Sequence, residues 1–175
     1  MPPRWTQDES PMTAEDELAA AQAALAGEHA CIYGYGVVGA HLPDDAGSAA
    51  RALQAHRNRR DDLAALIRAA GGEPEPSAPT YELPQPVTDA ATAGELAVLM
   101  ETRLAALHAD LVAAARSADL REFAAQALVS AALARTRWGG EQLAFPGLGG
   151  RPGTPGSTVA PEPETPGDTP TSEPR

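Results

Sequence analysis

Two glutamates and two arginines occupy positions where a helical bundle should be apolar. Glu28 lies on a stripe of apolar residues spaced alternately by three and four positions, which is the pattern of a buried helix face. Glu101 has the equivalent place on a later helix, and Arg60 and Arg135 lie on the helices that follow. Because a buried carboxylate without a partner is strongly unfavourable, each glutamate must be ion-paired, bind a metal or take part in function.

The spacing favours two buried glutamate–arginine pairs. Glu28 lies about as far before the turn at Asp44 as Arg60 lies after it, and Glu101 and Arg135 flank the later turn in nearly the same way. In an antiparallel hairpin, equal distances from the turn mean equal heights. Arginine also grips a carboxylate through two parallel hydrogen bonds. We therefore predict the core pairs Glu28–Arg60 and Glu101–Arg135.

A metal centre is the first alternative. Di-iron carboxylate bundles use one Glu from each of two helices and a Glu-x-x-His motif from each of the other two. Glu28 and Glu101 fit the single-Glu positions and His56 fits one His position, but Leu53 stands where its Glu should be. The fourth helix has no His. The missing ligands favour a protein without a cofactor. The alternatives are iron bound by Glu28, His56, Glu101 and His108, and a single metal ion bound by His56 or His108.

A small-ligand site at a polar bundle centre is the second alternative. Tyr35 and His108 each follow a core glutamate by seven residues, which places them two turns along on the same helix face. Together with His56 they predict a polar core. If no metal binds, the two histidines are expected to be buried and hydrogen-bonded.

Two further motifs point to no separate function. Residues 34–39 (GYGVVG) match the GxGxxG dinucleotide fingerprint, but Pro43 arrives too early for the helix that this fingerprint requires. The second helix carries a series of arginines that could suggest phosphate binding, but Asp61 and Asp62 interrupt it, which favours a solvated face. The arginines of this series are Arg51, Arg57, Arg59, Arg60 and Arg68.

Composition limits the classes of function. The 175 residues suffice for one domain with a core, and the net charge of −11 argues against nucleic acids or anionic membranes as partners. No apolar run reaches the roughly 18 residues that span a membrane, and the start of the chain lacks a signal peptide's apolar segment. The single cysteine, Cys31, is expected to be a packing residue in a reducing compartment. We therefore expect a cytoplasmic protein.

Helix start and stop signals divide the chain into four helices with a polar lead-in and a tail. Residues 1–12 read as a flexible start, 13–148 as the helical domain, and 149–175 as a disordered tail rich in Pro, Gly and Thr. The four helices are expected at about 13–42, 45–70, 89–116 and 120–138.

The connection between the second and third helices predicts the topology. Residues 73–87 contain five prolines and are expected to be extended, reaching roughly 45 Å at 3.1 Å per residue. The second helix is roughly 40 Å long at 1.5 Å per residue. The linker can therefore run the full length of the bundle, which predicts two antiparallel hairpins joined by one long crossover. This all-α connection is that of a ferritin-like four-helix bundle.

Several segments resemble the actinobacterial ferritin-like domain family known as DUF4439. They are residues 28–40 (EHACIYGYGVVGA), 56–61 (HRNRRD), 86–89 (PVTD), 137–138 (RW) and 144–148 (AFPGL). The resemblance covers about residues 14–148 and implies a ferritin-like bundle. It implies no catalytic residues, because the family has no assigned function.

The sequence therefore favours a non-enzymatic structural or interaction module, with an unknown protein partner or a second copy of the chain. A di-iron or single-metal oxidoreductase or storage protein remains the first alternative, and a small-ligand binder at the polar centre remains the second.

The tail yields a first testable prediction. Deleting residues 149–175 should leave the melting temperature unchanged, because this segment has almost no apolar surface to bury. Differential scanning calorimetry of the full and shortened chains measures this. A drop of more than a few degrees would show that the tail docks on the domain.

Overall fold

The computed structural model describes residues 12–143 and 146–147, and in these residues the chain forms four long α-helices and no strand. The all-α four-helix fold class predicted from the sequence is confirmed. A short 3₁₀ turn, Pro43–Asp45, joins the first two helices. The helices are α1 Ala14–His41, α2 Ala46–Ala69, α3 Ala90–Ala114 and α4 Ala118–Arg137.

Local signals explain where the helices begin and end. Thr13 caps α1 in a reciprocal box, in which its side chain accepts from the backbone of Asp16 and the Asp16 carboxylate accepts from the backbone of Thr13. Asp89 and Thr92 form the same box at the start of α3. After α2, Gly71 adopts a left-handed conformation with φ of +84°, which glycine enters without a steric penalty.

The packing order of the helices shows a crossover connection. In the described part of the chain, α1 packs against α2 and α3, and α4 packs against α3 and touches α2 only sparsely. Helices α2 and α3 have no close backbone packing and meet through the His56–Glu101 hydrogen bond at 3.2 Å. Tyr35 contacts Glu101 while Glu28 contacts His108, so residue numbers rise along α1 as they fall along α3. Helices α1 and α3 are therefore antiparallel, and α2 and α3 are parallel. This is the predicted arrangement of two hairpins joined by a crossover.

The linker between α2 and α3 runs along the bundle as a strap. Near its start, the Gln22 amide of α1 donates to the carbonyl of Glu73 at 2.6 Å. Further on, the ring of Tyr81 lies 5.5 Å from that of Tyr33, and Val87 packs against the core near the start of α3. These contacts progress along α1, so the segment makes no compact local turn.

The apolar core consists of two clusters separated by a polar layer. One cluster is centred on Tyr35, Val38 and Leu104, and the other contains Leu25 and Leu63. Each of α1, α2 and α3 contributes apolar residues to both clusters, and one polar residue lies between the two contributions. These residues, Glu28, His56 and His108, are fully buried, as is Glu101.

Two of the segments expected from the sequence are the two ends of the chain. The proposed flexible start and disordered tail lie outside the described residues, apart from the Met12 position. No helix in the described ranges is long and apolar enough to cross a membrane.

The topology can be tested by changing the linker length. Replacing residues 73–87 with a four-residue turn should abolish the native state, because the end of α2 and the start of α3 lie at opposite ends of helices about 36 Å long. Near-UV circular dichroism measures the loss of fixed tertiary structure. As a control, inserting five Gly/Ser residues into the same linker should change the free energy of unfolding by less than about 1 kcal/mol. A shortened chain that folds normally would contradict the crossover.

Candidate functional site

Glu28 is the most completely bonded side chain of the polar layer. Its Oε1 accepts hydrogen bonds from Nε of Arg59 and from Nε2 of His108, both at 3.0 Å. Its Oε2 accepts from Nδ1 of His56 at 2.8 Å. Both oxygens of this buried carboxylate are therefore occupied by nitrogen donors from α2 and α3.

Glu101 is bonded through one oxygen only. Its Oε1 accepts from the Tyr35 hydroxyl at 2.5 Å and from Nε2 of His56 at 3.2 Å. Its Oε2 is buried and has no hydrogen-bond partner among the residues that the structure describes, and the same is true of Nδ1 of His108. Because native proteins satisfy most buried polar atoms, these two atoms need an explanation.

His56 joins the two glutamates. Each of its ring nitrogens faces a carboxylate oxygen, and the ring can donate to both only as an imidazolium. Nη2 of Arg59 also lies 2.8 Å from Nδ1 of His56. Arginine can only donate, so this contact favours a neutral ring that accepts at Nδ1, whereas the two carboxylates favour the imidazolium. With His56 charged, two carboxylates, one imidazolium and one guanidinium leave the layer formally neutral.

The burial and the hydrogen bonds act in opposite directions on the pKa values. Burial alone raises the pKa of Glu28, but hydrogen bonds from His108 and His56 and the charge of Arg59 outweigh it and lower the pKa to about 2. Burial alone lowers the pKa of His56, but hydrogen bonds to Glu101 and Glu28 outweigh it and raise that pKa. Glu28 is thus held charged, and the charged form of His56 is favoured.

The two candidate nucleophiles near this layer are held in their protonated forms. Burial, together with the nearby charges of Glu101 and Glu28, raises the pKa of the Cys31 thiol well above its usual value. Burial and the Glu101 carboxylate likewise raise the pKa of Tyr35. Tyr35 also stacks on His56 with ring centroids 5.0 Å apart. These side chains therefore serve as packing and hydrogen-bonding groups.

The two glutamate–arginine pairs expected from the sequence are not formed. Arg60 pairs instead with Asp61, with Nη2 2.7 Å from Oδ1. Arg135 donates from Nε to the Thr102 hydroxyl at 2.9 Å. The equal distances from the turns place each arginine near the right height, but they do not determine which side of the helix it occupies. On α2, the neighbouring residue Arg59 is the one directed at Glu28.

The predicted polar core residues Tyr35, His56 and His108 all lie in the network. Arg59, which the sequence pattern placed on a solvated face, is a further member of it. It lies three positions after His56, so the two share a helix face. That spacing was the available signal for Arg59. The side chain is 18% exposed, because it reaches the buried carboxylate from the edge of the bundle.

The donor set does not fit a di-iron centre. The guanidinium of Arg59 binds Glu28 Oε1, where a metal would need a free lone pair and no added positive charge. In the parts of the chain that the structure describes, no three His, Cys, Asp or Glu side chains are arranged to hold a metal ion. The alternative ligand set Glu28, His56, Glu101 and His108 is instead connected by its own hydrogen bonds.

A cleft between α2 and α4 reaches the polar layer. It has a volume of about 410 Å³, and His56 and Glu101 form part of its lining. Its walls also carry Arg51, Arg137 and Trp138. The indole of Trp138 lies 5.8 Å from the ring of Tyr35, so the cleft and the buried network share a boundary.

Comparison with known proteins places the chain among proteins without an assigned activity. The sequence model of the family described as "Domain of unknown function (DUF4439)" matches residues 20–150. The structure is similar to the crystal structure of a conserved hypothetical protein, rv2844, from Mycobacterium tuberculosis, with 43% sequence identity and a TM-score of 0.69. The match covers 71% of this chain and 95% of that one. No curated protein matches the chain.

The lowered pKa of Glu28 predicts acid sensitivity. The pKa of Glu28 falls from a usual 4.5 to about 2 on folding. Its contribution to the free energy of unfolding is therefore present above pH 4.5 and is lost as the pH falls toward 2. This contribution is about 3 kcal/mol. Urea unfolding between pH 6 and 2.5 should show a shallower loss of stability for Glu28→Gln than for the native chain. The surface variant Glu82→Gln should retain the native slope, and equal slopes for all three chains would contradict the prediction.

The raised pKa of His56 predicts the opposite pH dependence. The contribution of His56 to the free energy of unfolding is fully present below its usual pKa of 6.5, and it is lost as the pH rises through the higher pKa of the folded state. Stability measured between pH 6 and 9 should therefore fall for the native chain and stay flatter for His56→Gln. His29→Gln is the control and should keep the native fall, since burial lowers the pKa of His29 instead. A native chain with no decline over this range would contradict the assignment.

Proposed function

The chain belongs to the DUF4439 family, and we propose that it is a non-enzymatic binding module. In this proposal, arginine and histidine side chains of the protein occupy the bundle centre that ferritin-like carboxylate proteins use for metal ions. One observation supports it above all. Three nitrogen donors, from Arg59, His56 and His108, engage both oxygens of Glu28, the carboxylate best placed to be a metal ligand.

The chemistry of the remaining side chains also favours binding over catalysis. A nucleophile needs a lowered pKa or an adjacent free base, whereas burial raises the pKa of both Cys31 and Tyr35. The three hydrogen bonds to Glu28 favour its charged form, which makes it a weak base. The centre is therefore suited to hold the helices in register.

A rigid centre of this kind would present fixed surfaces to a partner. The exposed apolar side chains Val129 and Leu133 on α4 are available for contact with another protein or a second copy of the chain. Cys31 is buried and unpaired, which suits a reducing compartment such as the cytoplasm. Partner and location are both parts of the proposal.

Metal analysis tests the proposal. Protein purified from an iron-supplemented culture should contain iron far below one atom per chain by mass spectrometry of the elements. Adding Fe(II), Mn(II) or Zn(II) should leave the melting temperature unchanged, because only a ligand that binds the folded state raises it.

The iron alternative has a distinct signature. A stoichiometric metal, together with a metal-dependent rise in melting temperature that Glu28→Gln abolishes and Glu95→Gln retains, would replace the proposed module with a metalloprotein. Glu95 is the matched control because its carboxylate lies outside the core, where it accepts from Gln85 at 2.8 Å.

A further inference from the structure

Two arginines on the walls of the α2–α4 cleft form no ion pair in the part of the chain that the structure describes. Arg51 donates to the Ser48 hydroxyl at 2.8 Å, and neither Arg51 nor Arg137 has an acidic partner among the described residues. Both arginines line the cleft, one from α2 and one from α4. Two guanidinium groups on facing walls are suited to bind a carboxylate or a phosphate.

A hydrogen-bond acceptor contributes to the same cleft. Glu101 is 1% exposed and forms part of the lining, and its Oε2 has no hydrogen-bond partner within the described ranges. Its other oxygen already accepts from Tyr35 and His56. A free carboxylate oxygen in such a place is unfavourable unless a donor reaches it, and an O–H or N–H group of a ligand would satisfy it.

The size and the remaining walls match a small molecule. The volume of about 410 Å³ lies within the roughly 300–1,000 Å³ typical of ligand pockets. Trp138 adds a partly buried aromatic wall. The net charge of −11 disfavours an extended polyanion, so the local positive charge is better suited to a compact anion.

We propose that the α2–α4 cleft binds a small organic anion that carries a hydroxyl or amino group near its carboxylate or phosphate. Arg51 and Arg137 bind the anionic group, and Glu101 Oε2 accepts the hydrogen bond from the ligand's donor. This inference names the ligand class of the binding module, and so rests on the proposed function. It differs from the polar-centre site expected from the sequence, because the anion lies outside the buried network.

Matched pairs of probes test the ligand class. Glycerate and glycerol 3-phosphate carry hydroxyl donors, whereas propionate and propyl phosphate have the same anionic groups and carbon number without them. Binding can be followed by the fluorescence of Trp138 in a Trp5→Phe background and by titration calorimetry. At least one hydroxylated probe should bind, with a Kd about tenfold below that of its donor-free counterpart, as expected for one hydrogen bond to a charged group. Comparing the two hydroxylated probes distinguishes a carboxylate from a phosphate ligand.

Variants on the cleft walls test the residues. Arg51→Ala and Arg137→Ala should each raise the Kd of the better probe about tenfold or more, the loss expected for one charge-assisted contact. Both residues are exposed, so the variants should fold. Arg57→Ala removes an exposed arginine of α2 that lies outside the cleft lining, and should leave the Kd unchanged.

The role of Glu101 has its own variant. Glu101→Gln, with folding checked by circular dichroism, should reduce the preference for the hydroxylated probe over its donor-free counterpart. An unchanged preference in this variant would overturn the role of Oε2.

Three other results would overturn the inference. They are no binding of either hydroxylated probe at millimolar concentration, equal binding of the probes with and without hydroxyl groups, and equal weakening by Arg57→Ala and Arg137→Ala. Iron content measured on the same protein sample keeps the two proposals distinguishable. A metal-free sample that binds no probe overturns only the ligand class, whereas stoichiometric iron overturns the proposed function.

Discussion

Two buried carboxylates must be neutralised within one layer of the bundle, and the rest of the structure depends on how this is done. Glu28 and Glu101 are both 1% exposed or less, so neither can rely on water. His56 bridges them at 2.8 and 3.2 Å, and Arg59 adds the second positive charge at 3.0 Å. A buried ion network of this kind is weak evidence for stability, because desolvation offsets much of the attraction. Removing one member would nevertheless leave an unpaired charge in the core.

The crossover brings the side chains of the polar layer together. Because α1 is antiparallel to both α2 and α3, Glu28 of α1 meets His56 and Arg59 of α2 on one side and His108 of α3 on the other. In an up-and-down bundle, α2 would be adjacent to α3. In the described chain the backbones of these two helices are not packed together, and the strap along α1 makes the crossover possible. The packing of α2 against α4 is sparse and leaves room for the cleft.

The fold could be read from the sequence because its signals are local, whereas the pairing at the site is not local. Thr13 and Asp89 begin helices through their own side chains, and the prolines of residues 73–87 exclude a helix without reference to any other element. The burial of Glu28 followed from its place on an apolar stripe. The choice between Arg59 and Arg60 depends on the rotation of α2 about its axis. A difference of one residue turns a side chain by about 100°, and the hairpin spacing does not fix that angle. The unpaired oxygen of Glu101 depends on three helices at once, so no single-segment pattern predicts it.

A double-mutant cycle between Glu28 and Arg59 tests most directly whether basic side chains neutralise the buried carboxylates. Unfolding free energies are measured for Glu28→Gln, Arg59→Met and the double variant, with Arg60→Met replacing Arg59→Met in a parallel cycle. The network predicts that each single change at Glu28 or Arg59 is destabilising, and that the double variant loses at least about 1 kcal/mol less than the sum of the two losses. The Arg60 cycle should be additive within about 0.5 kcal/mol, since that side chain pairs with Asp61. Additive losses in the Arg59 cycle, or a larger coupling to Arg60, would contradict this account of the core.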